Sequence, residues 1–273
     1  MSASRRLIDD LRVEPGSAPH LAKRDPDARV GAPSKDEGLA RLTALVERLG
    51  LLHNRLFAEA TRSVLLVLQG MDTAGKDGTI RHLLTGVSPQ GCRIAAFREP
   101  TSTELAHDYL WRVHAVCPAR GELVIFNRSH YEDVVAVRVR RLAAKHVWQR
   151  RYSHIRAFER LLTDEGTTVV KVFLHLSRSE QRVRLQERLD DPEKRWKFRA
   201  GDLEDRALWD DFIAAYEDGL RETSTEWAPW YVVPANHNWS RNLAVAEILV
   251  AALERLDPKL PDPDPGIERI EIP

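Results

Sequence analysis

Apolar residues in this chain recur in two rhythms, and the alternation between them outlines a fold. From Leu39 onward, Leu42, Leu45, Val46, Leu49, Leu52 and Leu56 return at helical spacing, which predicts an amphipathic helix leading into the core. Short, near-continuous apolar runs follow: SVLLVLQ at 63–69, CRIAAF at 92–97, ELVIFN at 122–127, TTVVKVFLHL at 167–176 and WYVVPA at 230–235. Helical patterns separate them. Runs rich in β-branched residues and leucine, without polar alternation, mark strands covered on both faces and hence a parallel sheet. Five such strands interleaved with helices predict an α/β domain built on a doubly wound parallel sheet.

Three stretches break this pattern. Residues 1–38 are polar and rich in Pro, Ala and Asp, and are expected to form an arm with little regular structure. The body runs over 39–255 and includes, at about 178–226, a helical, highly charged segment with few apolar positions, read as a lid projecting from the sheet. Residues 256–273 form a Pro-rich tail that is not expected to pack as a helix. No internal repeat is present.

At 273 residues the chain suits one large domain, or one domain with an appended lid. It is 43% hydrophobic and 30% charged, enough to bury a core and keep a polar surface. Formal net charge is zero, so a polyanion has to be held by a local cationic patch. Cys92 and Cys117 form no CxxC pair, which fits a reducing compartment. The opening MSASRRLIDD lacks the apolar stretch of a signal peptide, and no run approaches a membrane span. The expectation is a soluble, cytoplasmic protein without a membrane partner.

The stretch QGMDTAGKDGTIRH, residues 69–82, carries the phosphate-loop spacing G-x-x-x-x-G-K from Gly70 to Gly75 and Lys76. It lies between an apolar strand and a helical pattern, where backbone N–H groups line a concavity at a helix N-terminus that favours anions. Thr73, Ala74, Gly78 and Arg81 complete the candidate phosphate-binding stretch. Asp77 replaces the usual Ser or Thr, and Asp72 sits inside the loop. An acid in such a loop is repulsive unless a cation intervenes. Asp72 is therefore read as a Mg²⁺ ligand or as a carboxylate that orients the acceptor. Asp77 either joins it or only complements the helix dipole.

A phosphate-loop enzyme usually ends a second strand in an Asp that helps hold Mg²⁺. Here ELVIFN ends in Asn127, followed by Arg128, and the nearest acids are Glu132 and Asp133. Arg128 is predicted to reach a phosphate bidentately, with a salt bridge to Glu132 or Glu99 as its structural alternative. In the charged segment, Arg178 and Arg182 share one helix face, while Arg184 and Arg188 lie on nearly the opposite one. Lys194, Arg195, Lys197 and Arg199 surround Trp196 and Phe198. Singly, each cation reads as part of a solvated helix with Glu180, Glu187 and Asp190 as partners. As a set they suit a lid closing over phosphates, with Arg178, Arg182, Lys194 and Lys197 as candidate contacts. The interleaved acids argue against nucleic acid. His107, His114, His130, His154 and His175 show no metal-ligand spacing, and Trp227, Trp230 and Trp239 read as packing under the last strand.

Together these residues resemble the polyphosphate kinase 2 family, through LQGMDTAGKDGTIRH, PQGCRIAAFREPT, HDYLWRVH, IFNRSHYEDV, FLHLSRSEQRVRLQERLDDPEKRWKF and TSTEWAPWYVVPANHNWSRN. The resemblance implies a kinase-like P-loop fold with a helical lid. It also implies Mg²⁺ dependence (Mn²⁺ as a substitute) and phosphoryl transfer between inorganic polyphosphate and adenine nucleotides by a homo-oligomer, dimer or tetramer. By position, Asp72 matches the family's functional loop acid, Lys76 its phosphate-binding lysine and Arg128 the arginine after the second strand. Asn127 stands where many members have Asp, and this form resembles the subgroup that acts on AMP as well as ADP. Asn238 stands where the family pattern has Lys.

Three competing functions share parts of this pattern. An ATP-dependent nucleoside or nucleotide kinase would share loop and lid and differ only in its donor. A non-catalytic sensor of nucleotide or polyphosphate would bind without turnover. A nucleic-acid-binding protein would show salt-sensitive binding.

Overall fold

The computed structural model describes residues 3–270 and 272. In chain order the elements are α1 (Ala3–Leu11), β1 (Arg12–Val13), α2 (Lys35–Glu59), β2 (Ser63–Gly70), α3 (Lys76–Leu84), β3 (Cys92–Ala96), α4 (Ser102–Leu105), α5 (Trp111–His114), β4 (Leu123–Asn127), α6 (Ala136–Val139), α7 (Lys145–Asp164), β5 (Thr167–His175), α8 (Arg178–Asp190), α9 (Ala200–Ala207), α10 (Trp209–Thr223), β6 (Trp230–Pro234) and α11 (Asn238–Leu256). The sheet order is β1-β6-β5-β2-β4-β3, parallel except for β1. All five strands expected from apolar runs are present.

Every residue of β2 is buried, because helices cover both sheet faces. Val64, Leu66 and Leu68 face one core with Leu49, Leu52 and Leu56 of α2 and Leu249 of α11. Leu65 and Val67 face the other with Ile155 and Phe158 of α7 and Phe212 and Tyr216 of α10. This alternation fixes the register, since a slip of one residue would exchange the two faces.

Two expectations are corrected. Residues 1–38 are not a loosely structured arm. Ile8 and Leu11 of α1 join the core, β1 pairs antiparallel with β6, and the backbone amides of His20 and Leu21 donate to Glu217 of α10. A few apolar side chains and one capped sheet edge hold this polar segment down. The charged segment at 178–226 does not project as a whole either. Trp209, Phe212, Tyr216 and Leu220 share one face of α10 and are buried against the sheet, so α10 belongs to the body. Past Leu256 the described residues form no α-helix, only a 3₁₀ turn at Ile267–Arg269. Among the described residues no helix is long and apolar enough to cross a membrane.

Candidate active site

The C-terminal ends of β2 and β4 lie side by side, with Leu68 level with Asn127. Both connections leaving these strands bend sharply. Gly70 (φ 152°) and Gly75 (φ 99°) open and close the phosphate loop. At Gly75 a Cβ would collide with the Arg241 guanidinium, so glycine is needed for space as well as for conformation. Thr73 and Arg128 adopt left-handed backbone without being glycine, a local strain of about 1 kcal/mol or more each that the surroundings must over-determine.

The surroundings of the loop are visible carbonyl by carbonyl. Lys76 Nζ donates to the carbonyls of Gly70 (2.7 Å) and Met71 (3.2 Å). Gln181 Nε2 donates to Asp72 O (3.2 Å), Arg184 to Thr73 O (3.0 Å) and Arg241 to Ala74 O (3.2 Å). The Gly75 carbonyl accepts from the Thr79 amide (2.9 Å). Six consecutive carbonyls are thus held by donors behind or beside the loop. At the start of α3 the first amides have no partner within the helix, which leaves them available to an anion.

Lys76 is buried, and its ammonium is pushed down to about 8, chiefly by desolvation and then by the Arg128 charge. Arg128 donates to Asp72 Oδ1 and lies 3.4 Å from Glu132 Oε2. Glu132 holds the guanidinium charged against the cost of burial, and Asp72 adds to it. For Asp72, burial works to raise the carboxyl, but Arg128 and Lys76 outweigh it and the net shift is downward. An ionised carboxylate, a buried lysine and a doubly paired arginine therefore meet at the mouth of one anion cradle.

The other candidate residues separate. Asn127 Nδ2 donates to Asp77 Oδ1 at 2.7 Å, so Asp77 is the partner of the strand-end amide. Ala74 is buried within the loop, and Gly78 lies over Arg241. Arg81 is exposed one turn beyond Asp77. Asp133 turns to Arg151 (3.4 Å) and Arg112 (3.8 Å) rather than to the loop. Arg178 and Arg182 are exposed on α8, beside rather than on the face turned to the loop. Lys194 pairs with Asp191 (2.7 Å), and Lys197 lies over the Trp196 ring. The inward face of α8 instead carries Gln181, Arg184, Leu185 and Arg188. The burial of Gln181 and Leu185 fixes that orientation.

Arg241 was not among the candidates, although ANHNWSRN was. It is almost fully buried and bonds Thr79 Oγ1 (2.9 Å), Asn242 Oδ1 (3.0 Å) and Asn238 Oδ1 (2.7 Å). Burial pushes its guanidinium down to about 9, with Arg184 adding to the shift. A lysine at 238 would place a further cation against this group, whereas Asn238 supplies an acceptor. Arg241→Met should keep the fold and lower turnover by about tenfold to a hundredfold through a misaligned loop. Steady-state kinetics beside a melting curve would check this, and unchanged kcat would remove the bracing role.

The family model described as Polyphosphate kinase 2 (PPK2) matches residues 32–261. The chain belongs to the polyphosphate kinase 2 family. It is 58% identical over 262 residues to the AMP/ADP-polyphosphate phosphotransferase of Meiothermus ruber, covering 96% of this chain and 98% of that one. It is 45% identical to the ADP-polyphosphate phosphotransferase of Rhodopseudomonas palustris, covering 85% of each. The crystal structure of polyphosphate kinase 2 from Arthrobacter aurescens TC1 superposes with a TM-score of 0.92 at 44% identity, covering 96% of this chain and 93% of that one. As in that family, the phosphate loop of this member sits on a kinase-like α/β body.

Proposed function

We propose that this family member is a Mg²⁺-dependent phosphotransferase that moves the terminal phosphoryl group of inorganic polyphosphate to AMP and ADP, reversibly. The likeness to the Meiothermus ruber protein supports the substrates. The single structural observation behind the reading is the convergence of Lys76, Arg128 and Asp72 on a loop whose carbonyls all have donors.

Among the described residues no three His, Cys, Asp or Glu side chains are grouped to hold a metal. Mg²⁺ does not require such a cage, since it commonly binds through one or two carboxylates and completes its shell with water and phosphate oxygens. Asp72, ionised and at the cradle, fits that role, and Mn²⁺ suits the same donor. Bound there, the ion would supply charge neutralisation on the phosphate oxygens.

The chain's own residues do the rest. An AMP phosphate has a second pKa of about 6 and arrives already ionised, so little general-base work is needed. Asn127, neutral and tied to Asp77, fits a site without a strand-end base. Lys76 exchanges its carbonyl partners for a phosphate oxygen, and the loop amides fix the chain end. Arg128, positioned by the left-handed turn after β4, supports the transferring group. Arg178 and Arg182, exposed on α8 and within electrostatic reach of Arg206, suit distal phosphates of a long chain.

Purified protein with Mg²⁺ and long-chain polyphosphate should convert AMP to ADP and ADP to ATP with no ATP supplied. If polyphosphate phosphorylates neither nucleotide while ATP phosphorylates AMP, the donor assignment is wrong. Binding without turnover would mark a sensor instead.

A further inference from the structure

One side chain near the C-terminal end of β2 breaks the apolar pattern of the strand. Gln69, just before Gly70, is fully buried on the strand face that carries Leu65 and Val67. A buried amide is costly unless its polar groups find partners. Here they do. With nitrogen toward Glu132 and oxygen toward Ser129, Gln69 Nε2 donates to Glu132 Oε1 (3.1 Å), and its oxygen accepts from Ser129 Oγ and the Ser129 amide (each 3.1 Å). The reverse orientation would set oxygen against carboxylate. Tyr216 Oη of α10 lies 3.3 Å from the same amide, and Ser129 Oγ accepts in turn from the Tyr131 amide (3.1 Å).

Glu132 is thereby held from behind. Its other oxygen, Oε2, faces Arg128 Nη1 at 3.4 Å. Arg128 is shared by two carboxylates, and they differ in this respect. Glu132 is fixed by an amide of the central strand, whereas the Asp72 carboxylate has no hydrogen-bond partner but Arg128 among the described residues. When the reaction draws Asp72 away, Glu132 is the anchor that remains. The Arg128 main chain is set from the same strand, since its amide donates to Leu68 O (3.0 Å). Adjacent residues of β2 thus hold the backbone and, through Glu132, the side chain of Arg128, and the next residue starts the phosphate loop.

We propose that Gln69 is a positioning residue for phosphoryl transfer: acting through Glu132, it keeps the Arg128 guanidinium aimed at the transferring group once Asp72 has let go. The inference rests on the polyphosphate reading above. A preorganised cation stabilises developing charge only while its geometry is held, and an offset of about 1 Å already costs much of the effect.

Kinetics of Gln69→Leu, Glu132→Gln and the double variant, beside melting curves and calorimetric titration with tripolyphosphate, test this. Wild-type turnover is measured first with polyphosphate and AMP, and with ATP as donor should polyphosphate fail. The variants are then compared with the donor that works, so loss of the donor reading leaves the brace testable, and turnover with neither overturns both. Gln69→Leu should lower kcat about tenfold, with KM and tripolyphosphate affinity within about threefold of wild type. Glu132→Gln should lower kcat as far or further, and adding Gln69→Leu to it should cost less than about twofold more. A loss in the double variant equal to the product of the single losses would show that Gln69 acts independently of Glu132 and overturn the proposal. Weakened tripolyphosphate binding with unchanged kcat would overturn it too, as the mark of a role confined to the shape of the loop. Should the leucine variant fail to fold, the nearly isosteric Gln69→Glu sets a like charge against Glu132. It should lower kcat by about tenfold or more, and add nothing in the Glu132→Gln background.

Discussion

Lys76→Ala should give a folded protein whose phosphoryl transfer from polyphosphate to AMP falls on the order of a thousandfold. The lysine contributes at two levels. Its ammonium holds the Gly70 and Met71 carbonyls, and in the proposed reaction it is the cation that meets phosphate. Asp72→Asn should cost about a hundredfold or more, because the amide keeps the shape of the Arg128 contact and loses the charge that a metal needs. Specific activity and melting temperature measured together decide the matter, and wild-type turnover by either folded variant would remove that residue from the mechanism. A pH series adds a sign. The ammonium, pushed down to about 8, is charged below that value and must take up a proton to bind phosphate above it. Tripolyphosphate affinity of the wild type should therefore fall above about pH 8, by up to about tenfold per pH unit. In Lys76→Arg, which stays charged, that added fall should be absent.

The largest loss of stability is expected far from the loop. Lys171 in the middle of β5 and Glu159 on α7 are both fully buried and 2.6 Å apart. Lys171 also donates to Tyr131 Oη (3.1 Å) and Thr223 O (2.7 Å), and Glu159 meets His130 (3.3 Å) and Tyr131 Oη (2.8 Å). Removing one partner leaves a desolvated charge. Glu159→Leu should cost about 3–5 kcal/mol in denaturant unfolding, while Glu159→Leu with Lys171→Met should recover most of it. A double variant no more stable than the single would mean that the pair itself, and not the orphaned charge, carries the stability. The network also anchors His130 and Tyr131, two and three residues past Arg128, so it ties the strained turn of the site to the core.

The phosphate loop and the five parallel strands were legible because both signals are local. Apolar runs of 63–69 and 167–176 have no other stable place than a covered strand, and a glycine-rich turn between strand and helix has few uses. α10 was legible too, in Trp209, Phe212, Tyr216 and Leu220, but the density of charge around it favoured a lid. The two-residue β1 carries no period to read. Nor could spacing choose between the two arginine faces of α8, since both repeat equally well.

The sequence by itself determined the strands and the glycine-rich loop that ends in Lys76, because each depends on residues within a few positions of one another. Only the tertiary structure decided what holds the cradle open and what faces it. Arg184 and Arg241 reach loop carbonyls from 111 and 167 residues away. Asp202 and Asp205 acquire their arginine partners only when α9 folds back over α6 and α8. Charge has no periodicity, so a long side chain finds its partner through the packing of the helices that carry it.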